Sequence, residues 1–174
     1  QRGALMFTMT EARYDDVDKV VDKISGISFQ ELLDFGVVHK VTGQPHRFLC
    51  MKRAKLCKEK GFLKIMRKGE DPQFVFGAAE LERGVYRTWF VGTESYFDPA
   101  NRAGVRATAK AMASIAERHP RHTFEARSAS KHEAVLRWFG AIGFSFVEQK
   151  DGAMTFRYVG RNSTKAGKYA NLTS

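Results

Sequence analysis

Two runs of β-forming residues, VYRTWFVGT (85–93) and HTFEARS (122–128), stand on either side of one helical stretch, RAGVRATAKAMASIAERH. Strand, helix and strand in that order predict a parallel pair, because a parallel neighbour needs a crossover long enough to hold a helix. The remaining strands come in hairpin order. FLKIMRKGEDPQFVFGAAEL reads as two strands joined at Lys68 to Pro72, and Glu82-Arg83-Gly84 turns the chain into the third. SFVEQKDGAMTFRYVG closes the chain as a hairpin turning at Asp151-Gly152. One parallel step among hairpins predicts an α+β chain with a mixed, mostly antiparallel sheet.

The helices are legible from apolar spacing. FTMTEARYDDVDKVVDKI (7–24) begins as a short strand and becomes a helix with Val17, Val20, Val21 and Ile24 on one face. Asp15 and Asp16 fall in its first turn, where the helix dipole favours acids. ISFQELLDFGVV reads as a second helical piece, with Ser28 and Glu31 spaced as a capping box. HKVTGQP is a loop by its Gly and Pro content. HRFLCMKRAKLCKEKG reads as a helix ending at Gly61, with Lys58 and Lys60 in its last turn. After the connection ESYFDPAN, either Asp98 or Asn101 caps the crossover helix. KHEAVLRWFGAIGF, Lys131 to Phe144, is amphipathic. Ala134, Val135, Trp138, Phe139 and Ile142 share a face opposite Lys131, Glu133 and Arg137; Gly143 stops the helix and Phe144 opens a strand.

A chain of 174 residues with 43% apolar content suits a single domain with a substantial core, placed here at residues 7–160. Residues 1–6 read as leading sequence outside it. Residues 161–174 (RNSTKAGKYANLTS) have the composition of a flexible basic tail. No run reaches the roughly 18 to 20 apolar residues of a membrane span, and no signal peptide is visible. Cys50 and Cys57 sit about 10 Å apart along one helix at ~1.5 Å per residue, too far for a disulfide. Two free thiols without an export signal predict a cytoplasmic site of synthesis, and no metal site is expected. A net charge of +10 favours polyanions: nucleic acid, a phosphate-rich cofactor or an acidic partner.

The element order, with HEAVLRWFGAIGF near its end, resembles the GNAT N-acetyltransferase superfamily over roughly residues 7–160. That family's usual form at this helix is Asn-x-x-Ala-x-x-aliphatic-Tyr-x-x-x-Gly-Phe. EARYDDVDKVVDKI resembles its first strand and helix, and Trp89 to Glu117 its strand, loop and helix for the CoA pyrophosphate. The narrower pattern WFVGTESYFDPANRAGVRA, followed by LRWFGAIGF, resembles the GNAT-like internal virion or core proteins of short-tailed bacteriophages. The resemblance implies a twisted, mostly antiparallel sheet flanked by helices, with a parallel strand pair splayed at a cofactor cleft. It implies acetyl-CoA as cofactor, held by a loop reading Gln/Arg-x-x-Gly-x-Gly/Ala.

Here that loop is Arg102-Ala103-Gly104-Val105-Arg106-Ala107, with Val105 where the central glycine belongs and Gly104 one residue early. Arg102, Arg106 and Lys110 fall at i, i+4 and i+8, either a phosphate-holding face or a solvated stripe. His132 replaces the family's Asn and Phe139 its Tyr, which in many members is the acid beside the leaving thiolate; Phe has no proton to give. Tyr96 or Tyr158 could take that part from elsewhere. Acyl transfer also needs a base and a backbone N–H for the developing oxyanion. Glu94 and Glu80 are the candidate bases. Gly92 and Thr93 are the candidate donors.

Three functions fit these residues. The first is an acetyl-CoA-dependent N-acyltransferase acting on an amine of a protein or small molecule. The second is a noncatalytic internal virion protein that keeps the fold, found in the host cytoplasm or the virion. The third is a basic nucleic-acid-binding module with Trp89, Tyr96 and Phe97 as stacking surfaces.

Overall fold

The computed structural model describes residues 6–26, 45–130 and 132–160. The helix expected over ISFQELLDFGVV, the loop after it and the basic tail lie outside the described residues.

The strands form one seven-stranded sheet ordered β1-β2-β3-β4-β5-β7-β6. They are β1 (Phe7–Glu11), β2 (Gly61–Lys68), β3 (Asp71–Glu82), β4 (Val85–Gly92), β5 (Thr123–Ser128), β6 (Phe144–Lys150) and β7 (Ala153–Tyr158). The helices are α1 (Tyr14–Asp22), α2 (Pro45–Lys60), α3 (Glu94–Phe97), α4 (Arg102–Arg118) and α5 (Glu133–Ala141). Every neighbouring strand pair is antiparallel except β4 and β5, which run parallel across the crossover helix α4. One parallel pair in an otherwise antiparallel sheet is the arrangement that the strand order predicts. Among the described residues no helix is long and apolar enough to cross a membrane.

Period-two alternation sorts the strand side chains onto two faces. On one, Val17, Val20 and Val21 of α1 and Cys50, Ala54 and Cys57 of α2 pack on Leu63, Ile65, Val75, Ala79 and Val91. On the other, Met112 and Ile115 of α4 and Val135, Leu136, Trp138 and Phe139 of α5 pack on Met66, Phe74, Phe76, Phe124, Phe144 and Phe156. With both faces covered, β3 is buried without a break from Gln73 to Ala79.

Two glycines answer to close approach. A Cβ on Gly61 would sit 2.0 Å from the Ala78 carbonyl oxygen, and one on Gly77 would sit 2.8 Å from Cys57 Sγ. Gly61 opens β2 instead of capping α2 in a left-handed turn, so the expected helix stop is a strand start. Asp151 and Gly152 both take positive φ (54° and 78°), as a tight right-twisted hairpin requires.

Candidate functional site: the parting of β4 and β5

The parallel ladder is short. It pairs Val85 with Thr123, Tyr86 with Phe124 and Arg87 with Glu125, and then stops. Thr88 Oγ1 donates to the Glu125 carbonyl oxygen (2.9 Å) at the point where the strands separate. Beyond it β5 pairs only with β7. At the far end of β4 the chain after α1 closes on the edge that β5 has left. The Ser25 N–H donates to Gly92 O (2.9 Å) and the Glu94 N–H to Lys23 O (3.3 Å).

Aromatic side chains pack beside the parting. Trp138, only 8% exposed, reaches from α5 to Phe90 of β4 (centroids 5.0 Å), Phe74 of β3 (5.7 Å) and Phe97 of α3 (5.7 Å). Its indole N–H donates to Tyr96 Oη (3.2 Å). Tyr96 Oη lies 2.6 Å from Thr108 Oγ1, and Thr108 in turn donates to the Gly104 carbonyl (2.9 Å). Thr108 Oγ1 also approaches Met66 Sδ (3.6 Å), and between Tyr96 and Thr108 either hydroxyl can be the donor.

This network corrects the expectation for Tyr96. It is fully buried, its hydroxyl has a partner on each side, and burial pushes its pKa up. It holds α3, α4 and α5 together and has no open path to a thiolate. Phe139, where the family has Tyr, stacks on Phe156 of β7 (4.4 Å, 9° between planes) and is also core.

The other expected site residues divide clearly. Glu94 is exposed at the start of α3, at the end of β4. Glu80 is elsewhere: it pairs with Tyr86 at the opposite end of β4, about 20 Å from Gly92 at ~3.3 Å per residue. There its carboxylate accepts from the Gly84 N–H (3.1 Å) and meets His122 Nε2 (3.0 Å), which together hold its pKa below the ordinary value. Glu80 buttresses a turn at the end of β4 away from Glu94. Thr93 is the wrong way round for an oxyanion donor, because its N–H is spent on Gln73 O (3.0 Å). Gly92 is glycine for space, since a Cβ there would meet the Phe97 ring at 2.5 Å.

At the start of α4, Asn101 is the cap, accepting from the Gly104 N–H (3.1 Å) and donating to Tyr96 O (2.9 Å). A Cβ at Gly104 would lie 2.6 Å from Asn101 Nδ2, so this glycine serves the cap. Val105 and Ala107 turn toward the core, while Arg102, Ala103, Arg106 and Lys110 face out. His132 caps α5, its Nδ1 accepting the Ala134 N–H (3.1 Å).

Residues suited to coenzyme A are present at the start of α4. Arg102 and Arg106, on the first turns of α4, suit its phosphates. Beside the parting, Trp138 packs from α5 onto Phe90 of β4 and Phe74 of β3.

No family model matches the chain, and no curated protein matches it in sequence. Solved structures do match in fold. The N-acetyltransferase PaiA of Thermoplasma acidophilum, determined with coenzyme A, superposes with a TM-score of 0.63 at 6% identity, over 87% of this chain and 98% of that one. An acetyltransferase of the GNAT family from Staphylococcus aureus gives 0.60 at 9% identity, over 87% and 98%. An acetyltransferase from Streptococcus agalactiae gives 0.60 at 12% identity, over 88% and 98%. The chain has the GNAT acetyltransferase fold.

Proposed function

We propose that the protein is a degenerate relative of the acetyltransferases: a noncatalytic, basic protein that keeps the fold as a scaffold. The observation that carries this reading is the closed core beside the parting, where Trp138 packs on Phe90 and Phe74 and its indole N–H donates to Tyr96 Oη. It is supported by Phe139 in place of a tyrosine acid, by Tyr96 locked in the core, and by the Thr93 N–H committed to Gln73. A component of short-tailed phage particles is the role that the sequence resemblance suggests for such a scaffold.

A second reading is an acetyl-CoA-dependent N-acyltransferase with Glu94 as base. One observation favours it: Arg102, Arg106 and Lys110 have no acidic partner among the described residues and stand in a row from the start of α4, within one short connection of Glu94.

Calorimetric titration with acetyl-CoA separates the two. The scaffold reading expects no saturable binding by the natural protein at millimolar ligand. Micromolar binding by the natural protein, about −8 kcal/mol, that weakens in Arg106→Glu would overturn it. Glu94→Gln would then be assayed against amine acceptors.

A further inference from the structure

The core that α1 and α2 build reaches β2, β3 and β4 and includes no residue of β5, β6 or β7. On this same face the register sets Arg87, Glu125 and Arg157 side by side across β4, β5 and β7. Adjacent strands lie about 4.8 Å apart, so the two arginines start about 10 Å from each other. Arg127 follows Glu125 by two residues on β5 and therefore shares the face. Arg53 of α2 borders it, close enough to Arg87 for the two charges to repel. Trp89, two residues beyond Arg87, packs on the α1 and α2 core and stays partly exposed.

The chain does not neutralise this row. Glu125 is engaged by Arg157 (2.9 Å), and Glu82 is the other carboxylate near Arg87. Among the described residues Arg53, Arg87 and Arg127 form no ion pair, and Arg87 Nε is buried without an acceptor. Burial and the charge of Arg127 both hold the Arg87 guanidinium below its ordinary pKa, as crowded cations require. Arg53, Arg127 and Arg157 are exposed. An anion laid across them relieves the repulsion, and guanidinium forks suit phosphate. The ring of Trp89 adds a stacking plane, which an unpaired base can use and a duplex, with its bases stacked inside, cannot.

We propose that this face binds an unpaired nucleic-acid strand, its phosphates on Arg53, Arg87, Arg127 and Arg157 and a base against Trp89. Of the three aromatic residues that the sequence offers as stacking surfaces, Trp89 is the one placed for it. Tyr96 is fully buried, and Phe97 packs on Phe74 and Trp138. The inference goes beyond the scaffold reading by naming a partner, and it does not depend on whether acetyl-CoA binds.

The test is fluorescence anisotropy of the full chain with labelled oligothymidylate, oligouridylate and a duplex of the same length, across a salt series. Saturable binding of both single strands is expected, tighter than that of the duplex, because DNA and RNA share phosphates and base faces. Arg53→Ala and Arg127→Ala should each weaken it and flatten the slope of log affinity against log salt by about 0.7, the share of one phosphate contact on a single strand. Trp89→Leu should weaken it about tenfold, the scale of one lost base stack. Arg118→Ala, exposed on α4 behind the opposite face, should change neither quantity. No saturable binding, a duplex bound as tightly as a single strand, arginine variants no weaker than Arg118→Ala, or unchanged affinity in a folded Trp89→Leu protein would each overturn the proposal. Should Trp89→Leu fail to fold, the exposed arginine variants and the duplex comparison still decide. None of these readouts uses acetyl-CoA, so this proposal and the scaffold reading fail separately.

Discussion

Tyr96→Phe removes one oxygen atom and should be expensive for a reason its size does not suggest. The indole N–H of Trp138 donates to that oxygen at 3.2 Å and both side chains are buried, so the variant strands a donor away from water. That costs about 1–3 kcal/mol. Thr108 is not stranded, because it keeps its bond to the Gly104 carbonyl. Trp138→Phe should cost about 1–2 kcal/mol, chiefly through lost ring volume, since Tyr96 still has Thr108 as a partner. In the double variant there is no N–H left to strand. Tyr96→Phe then costs only the phenol–threonine bond, about 1 kcal/mol. The two substitutions should therefore be less costly together than their sum, by the cost of the stranded donor, about 1–3 kcal/mol. Urea unfolding of the four proteins measures this, provided the slope with denaturant stays constant. Additivity within about 0.5 kcal/mol would refute the hydrogen bond between Trp138 and Tyr96.

Two further outcomes follow from buried charge and buried sulfur. Burial raises the pKa of Asp16, but the Arg13 N–H (2.9 Å) and the Arg67 guanidinium (2.7 Å) outweigh it and hold the carboxyl below its ordinary range. With the folded pKa below the unfolded value near ~3.9, this stabilisation is complete above that pH and is lost as pH falls through the folded pKa. Asp16→Asn should lower stability at pH 7 and flatten the loss below about pH 4, as read by unfolding curves across pH. Burial pushes the thiol pKa of Cys50 up to about 12 and that of Cys57 up to about 11. A disulfide reagent at pH 8 should therefore leave both untouched in the folded protein and titrate both in urea; fast reaction of either in the native state would contradict the packing of α2 on the sheet.

The elements that were legible in the sequence are those whose signals are local. The crossover between VYRTWFVGT and HTFEARS gave the parallel pair, the apolar spacing around Trp138 gave α5, and Asn101 was one of two caps read before the crossover helix. The site was harder because its meaning depends on partners far along the chain. Tyr96 follows a strand in a polar connection, which looks like a cleft position; what buries it is Thr108 and Trp138, 12 and 42 residues away. Glu80 looks like a strand-end acid near Glu94, yet the hairpin sends it to the other end of β4, which only the register reveals. Gly104 looks like a displaced phosphate glycine and is explained by the side chain of Asn101.

The three-residue ladder between β4 and β5 has a consequence for how the molecule comes apart. It is the main-chain seam between a four-stranded block, β1 to β4, and a three-stranded block, β5, β7 and β6. With so few rungs, the blocks are held chiefly by the side chains that α4 and α5 lay across the join, Trp138 foremost among them. Amide hydrogen exchange should then divide along this line, with the inner strands of the first block slowest and the second block opening as a unit of lower free energy. A residue buried in the core is, on this view, also the rivet of a fold whose two halves are barely stitched through their backbones.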